Sequence, residues 1–158
     1  MADLVFNVAK GRVNELHDRV NSGDPSTSRL VVVLLKGAES DAGLKDRPDL
    51  AAILANGNAE ADFTNYARKV IGAAGIGPSV VDNGADRREA DITADPTWTA
   101  AGGVINNALV KLLICYTPDQ AGGTDADLIP LTAHDFQIAT NGSDLVAQLA
   151  AAGYFRAS

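Results

Sequence analysis

Six aliphatic residues in a row, closed by a charge at each end, constrain this chain more than any other feature. Arg29-Leu-Val-Val-Val-Leu-Leu-Lys36 has no polar residue between its basic ends. A strand sends successive side chains to opposite faces, so an unbroken apolar run needs cover on both sides. Leu109-Val-Lys-Leu-Leu-Ile-Cys-Tyr116 predicts a second central strand. Its Cys115 is the only cysteine, so no intrachain disulfide forms. In so apolar a run a buried, inert thiol is expected rather than a nucleophile.

The flanks of these runs predict a mainly β fold, an antiparallel sandwich or partly open barrel, with an N-terminal helix and one short helix. An α+β arrangement with a mixed sheet is the alternative, since the two long strands could lie parallel. The 158 residues are enough for one domain, 1–158, with the helix over about 5–20 and the β-rich body over about 29–158. Phe6, Ala9, Val13, Leu16 and Val20 step by three and four, giving one apolar helical face. Gly11 lies inside that segment and costs about 1 kcal/mol against alanine. Turn chemistry from Asn21 to Ser26 ends the helix. A short helix is expected from Pro48 and Asp49 to Asn56-Gly57, with Leu50, Ile53 and Leu54 on its apolar side.

Further along, Asn65–Ile71 is read as a strand, with a helix over Glu60–Ile71 as the alternative. Residues 72–84 are read as loop, and Arg87–Thr93 as an exposed or edge strand. A strand around Thr97–Ala100 buries Trp98, the only tryptophan, and Gly102-Gly103 turns the chain. Asp127–Thr132 and Asp135–Thr140 suggest two strands. Asn141-Gly142 is the strongest hairpin signal in the sequence. Tyr154 and Phe155 place two of the few aromatics within five residues of the end, which is wasteful unless that end is tied down.

Chemistry is sparse. The net charge of −7 repels phosphate backbones, so no nucleic-acid partner is expected. No apolar stretch approaches the roughly 18 residues that span a bilayer, so no membrane partner is expected either. No basic segment leads into an apolar stretch at the start, so no secretory leader is expected. His134 and Asp135 are adjacent and would point to opposite faces of a strand, and no nucleophile elbow accompanies them or His17. The aspartates at 119, 125 and 127, and at 82, 86, 91 and 95, lack the spacing of a calcium loop. Zinc has no Cys/His set, and Gly72-Ala-Ala-Gly-Ile-Gly77 fits neither a dinucleotide fingerprint nor a Walker loop. No enzyme activity, catalytic residue, cofactor or metal is expected.

Several stretches carry a resemblance. They are Leu4–Val13, Asn65-Tyr-Ala-Arg-Lys69, Asp95–Gly103, Lys111–Asp119, Thr124–Phe136, and the ending from Asn141-Gly-Ser-Asp144 to Gly153-Tyr-Phe-Arg156. In order and spacing they resemble a group of small virion proteins from tailed phages of actinobacteria. The resemblance implies a structural component of the particle without catalysis, either capsid-decorating or a minor tail component. The expectation is a capsid decoration (cement) protein. It would be made in the host cytoplasm, bind the major capsid protein on the outer capsid surface, and self-associate, with a trimer as one such assembly. The alternatives are a minor tail or baseplate module and, from another class, a carbohydrate-binding or hydrolase domain. Two contact surfaces are candidates: the helical stripe of Phe6, Val13, Leu16 and Val20, and the end at Tyr154 and Phe155. Docking of the stripe on its own domain is the simpler alternative.

Overall fold

A computed structural model describes residues 4–149 and 153–157. From the N-terminus, strand β1 (Leu4–Val5) leads through a 3-10 turn (Asn7–Ala9) to helix α1 (Val13–Ser22) and strand β2 (Arg29–Gly37). Helices α2 (Asp41–Leu44) and α3 (Leu50–Ala55) follow, then strands β3 (Ala59–Glu60) and β4 (Lys69–Ile71). After a 3-10 turn (Ala73–Gly75) come β5 (Val80–Asp82), β6 (Arg87–Ala90) and β7 (Thr97–Trp98). The long strand β8 (Ala108–Thr117), a 3-10 turn (Asp125–Asp127), the long strand β9 (Ile129–Ala139), β10 (Leu145–Val146) and β11 (Phe155–Ala157) complete the chain.

The aliphatic run forms β2, inside a six-stranded sheet ordered β1-β9-β8-β2-β3, with β4 also pairing β2. β2 and β8 run antiparallel, from Arg29 opposite Thr117 to Leu35 opposite Lys111. Both faces of β2 are covered, as its composition demands. Leu30, Val32 and Leu34 join α1, Ala90, Trp98, Leu145 and Tyr154 in one apolar layer. Val31, Val33 and Leu35 join Phe6, Leu44, Leu50, Ile53 and Cys115 in another. Each of these aliphatic side chains contributes about 1.5–3 kcal/mol by leaving water. The sheets are antiparallel and do not close into a barrel. Two small sheets, β11-β6-β5 and β10-β7, supply residues to the layer that holds α1. No helix among the described residues is long and apolar enough to cross a membrane.

Several local expectations are corrected. The helix starts at Val13 rather than near residue 5, because Gly11 has a left-handed backbone (φ 76) that separates it from the 3-10 turn. At its other end Gly23 is left-handed, and the N–H groups of Gly23 and Asp24 cap the carbonyls of Val20 and Arg19. The Asn65–Ile71 strand shrinks to Lys69–Ile71, because Asn65 sits at φ 70 in a turn. Residues 72–84 contain β5 as well as loop. The Arg87–Thr93 strand is not an edge, since β6 lies between β5 and β11. Its charges are paired along the strand by Arg87–Glu89, across the sheet by Arg156–Glu89 and from α1 by Arg88–Asp18. The two strands read at 127–140 are one, because Lys111 of β8 pairs with Asp135 and lets a charge sit mid-strand. Asn141-Gly142 turns the chain but makes no hairpin. β10 leaves β9 and pairs with β7, Leu145 opposite Trp98.

The C-terminal segment is tied down through a histidine. Tyr154 is buried and its hydroxyl lies 3.0 Å from His17 Nδ1, while His17 Nε2 lies 2.8 Å from the Gly77 carbonyl. A carbonyl only accepts, so Nε2 carries the proton and Nδ1 accepts from Tyr154. Burial lowers the pKa of His17 below the ordinary histidine value; the Gly77 carbonyl, Asp18 and Asp91 oppose this only in part, and Arg88 adds to it. The unfolded chain therefore binds more protons than the native one as pH falls below about 6.5. Stability from the neutral ring is complete above that pH and is lost as pH drops toward the depressed value. We predict a lower urea midpoint for the wild type at pH 5.5 than at pH 7.5, and a smaller drop in His17→Gln, whose amide can donate and accept but does not titrate. Equal drops in the two proteins would refute the assignment.

Candidate functional site

The residues singled out as contact surfaces lie mostly inside. Phe6, Val13, Leu16, Val20 and Tyr154 are all buried, and Phe155 is partly buried against the same core. The stripe is apolar because α1 docks on its own domain, against Leu30, Val32 and Leu34. These five residues are therefore corrected from surface to core. Helical periodicity reports an apolar face, not what covers it.

Polar groups close on one another. Arg68 reaches both Glu60 and Asp125, and Tyr66 donates to Glu60 at 2.9 Å while accepting from the Leu34 N–H. Arg47 holds Glu39, which also accepts from Asn58. Lys111 lies between Asp41 and Asp135; although burial disfavours its charge, the two carboxylates raise its pKa above the ordinary lysine value. His134 bonds Thr132 at 2.9 Å and lines a cleft of about 350 Å³ with Leu4, Val5, Tyr154 and Phe155. Burial pushes the Cys115 thiol up to about 12, so it stays protonated.

The aspartate groups serve the backbone. Asp82 accepts from the N–H groups of Gly84 and Ala85, Asp119 from Ala121, and Asp95 from Leu149. Asp127 and Thr124 form a reciprocal cap on the turn before β9. Among the described residues, no three His, Cys, Asp or Glu side chains gather as an ion would require.

What the fold leaves outside is an apolar end bordered by Asp144, whose carboxylate accepts from the Ala100 N–H at 2.8 Å. No ionisable side chain occurs from Pro96 to Val110 or from Phe136 to Ser143, in a chain that is 21% charged. These two segments are stitched together. Ala101 N–H donates to the Ser143 carbonyl at 2.9 Å, Gly142 N–H to the Ala101 carbonyl at 2.7 Å, and Thr140 N–H to the Asn107 carbonyl at 2.9 Å. Gly102 and Gly103 both have left-handed backbones (φ 98 and 100), and a methyl group added at Gly142 would stand 3.5 Å from the Gly103 Cα. The loop they shape projects Val104, 91% exposed, and Ile105, 52% exposed. Ile138 and Val146 are also exposed on the partner segment and on β10. Thr64 braces the loop from a third segment, accepting from Ile105 N–H through its hydroxyl and from Gly102 N–H through its carbonyl. Asp62 and its partner Lys36 stand at the rim beside Asn107. The glycine pair signalled a turn in the sequence, but a Val-Ile dipeptide looks the same whether it ends up buried or exposed.

No protein-family model matches the chain, and no match was found among curated proteins or solved structures.

Proposed function

We propose that the protein is a non-enzymatic structural component of a tailed-phage virion, a capsid decoration protein that binds the assembled head through the major capsid protein. The observation that carries this reading is the use made of the motif residues behind the resemblance. They fasten the fold together instead of converging on a cleft. Asn65 donates to the Ala100 carbonyl, Tyr66 and Arg68 bind Glu60, and Lys69 stands over the Trp98 ring at 5.4 Å. Trp98 in turn donates to Ala67, and Thr124 caps with Asp127. A rigid body that spends its polar groups internally and keeps an apolar end outside suits adhesion better than turnover. A folded protein that binds only the assembled shell stabilises that shell by mass action.

Quantitative mass spectrometry of purified virions tests the reading. The expected result is a fixed stoichiometry with the major capsid protein, regular lattice positions in particle images, and binding of the purified protein to expanded heads. A few copies confined to the tail tip would instead make it a minor tail or baseplate module. Turnover of host-wall glycans, abolished by a carboxylate-to-amide change, would overturn the non-enzymatic reading altogether.

A further inference from the structure

We propose that Asn83-Gly84, in the turn between β5 and β6, is a site of spontaneous covalent modification, where the asparagine converts to aspartate and isoaspartate through a cyclic imide formed with the next backbone nitrogen. Asn-Gly also stands at 56–57 and 141–142, and the fold restrains those two pairs while leaving this one open.

The peptide nitrogen that follows the asparagine must bond to the side-chain Cγ. That nitrogen gives up its proton, the Cγ–Nδ2 bond breaks, and ammonia leaves. Water then opens the imide at either carbonyl, so the net change is one water taken up and one ammonia released, with no oxidant or reductant. Glycine in the second position has no Cβ to crowd the attacking nitrogen. At Asn141 both reacting groups are held: Gly142 N–H donates to the Ala101 carbonyl at 2.7 Å, and Asn141 Oδ1 accepts from Ser143 N–H at 3.0 Å. At Asn56 the side-chain Nδ2 donates to the Ala52 carbonyl at 2.7 Å, which fastens the amide to the last turn of α3. Asn83 is exposed in the turn over residues 83–86, and its side chain makes no hydrogen bond to the described residues. Gly84 N–H donates to Asp82 Oδ1 at 3.0 Å. A carboxylate at that distance is a base able to take the proton as the nitrogen attacks, which the Ala101 carbonyl is not.

The product acts on the small sheet. Isoaspartate routes the backbone through the former side chain and lengthens the turn that sets β5 against β6, Val81 opposite Arg88 and Asp82 opposite Arg87. Either product also adds a carboxylate next to Asp82 in the turn that holds Asp86.

Peptide mapping of the full chain, aged at mildly alkaline pH, tests this. The expected result is aspartate and isoaspartate at residue 83 ahead of 56 and 141, an acidic shift of one charge from the native −7, and a rate that rises with pH. In urea the three sites should react at similar rates, because nothing then holds the amides. Gly84→Ala should suppress conversion at 83 and leave the circular dichroism spectrum unchanged, since Gly84 lies outside the left-handed region and an added Cβ would meet only Asp82 Oδ1, at 3.4 Å. Asn83→Gln should abolish the acidic shift, which keeps the test open if the alanine variant misfolds. Conversion at 56 or 141 ahead of 83 in the native protein overturns the proposal. So does a preference for 83 that persists in urea, or an acidic shift that survives Asn83→Gln.

Discussion

Trp98→Ala is expected to remove about 3–5 kcal/mol of folding stability, the usual cost of truncating a buried tryptophan. A domain of this size has about 5–15 kcal/mol in total, so the variant loses about a fifth or more. Trp98 is buried in the layer between the main sheet and α1, and it is the point where β7 and β10 attach to the rest. Its indole N–H donates to the Ala67 carbonyl at 2.8 Å, just before β4. Truncation therefore opens a cavity and removes a hydrogen bond in the same place. Trp98→Phe keeps most of the apolar volume and loses the hydrogen bond, so a smaller loss of about 1–2 kcal/mol is expected. Urea unfolding followed by circular dichroism measures both, since the variants lack the only tryptophan fluorophore. A loss below about 1 kcal/mol in Trp98→Ala would mean that the small β7–β10 sheet is not anchored through this ring.

Burial of Trp98 was legible in the sequence, and its partner was not. With only 5% aromatic residues, a lone tryptophan among alanines and glycines had few other places to go. Ala67 lies 31 residues away, and nothing local announces its carbonyl. The same division recurs along the chain. The six-aliphatic run told its own environment, because a two-faced apolar strand has only one solution. Asn141-Gly142 told that the chain turns, but not that β10 would leave β9 for β7. Asp135 reads as the start of a separate strand, because its compensating charge, Lys111, sits on another strand. The exposed apolar loop was the least legible. An apolar dipeptide is exposed or buried according to which segments meet around it, and Val104-Ile105 meets Thr64 and Thr140 only through the tertiary fold.

Arg68→Ala is the second large effect expected, about 2–3 kcal/mol, below the cost of breaking a fully buried pair because the Arg68 side chain is 28% exposed. Its guanidinium forks to Glu60 at 2.8 and 2.7 Å, and it also holds Asp125 through Nη1 and, at 3.1 Å, Nη2. Glu60 ends β3 and Asp125 opens the turn before β9, so one side chain fastens segments from the two halves of the chain. Removing it leaves two carboxylates facing each other without a cation. Arg68→Lys restores one charge but cannot make two planar forks, so an intermediate loss is expected. The hydrogen bond from Arg68 holds the Asp125 carboxyl below the ordinary aspartate value, outweighing the opposing effect of burial. A depressed carboxylate contributes stability above its unfolded pKa, near 3.9, that is lost as pH falls through its folded one. The gap between wild type and Arg68→Ala should therefore narrow below about pH 4, as the wild type loses the Arg68–Asp125 pair. A gap that stays constant into acid would assign the loss to packing of the arginine stem against its neighbours, because packing has no protons to exchange.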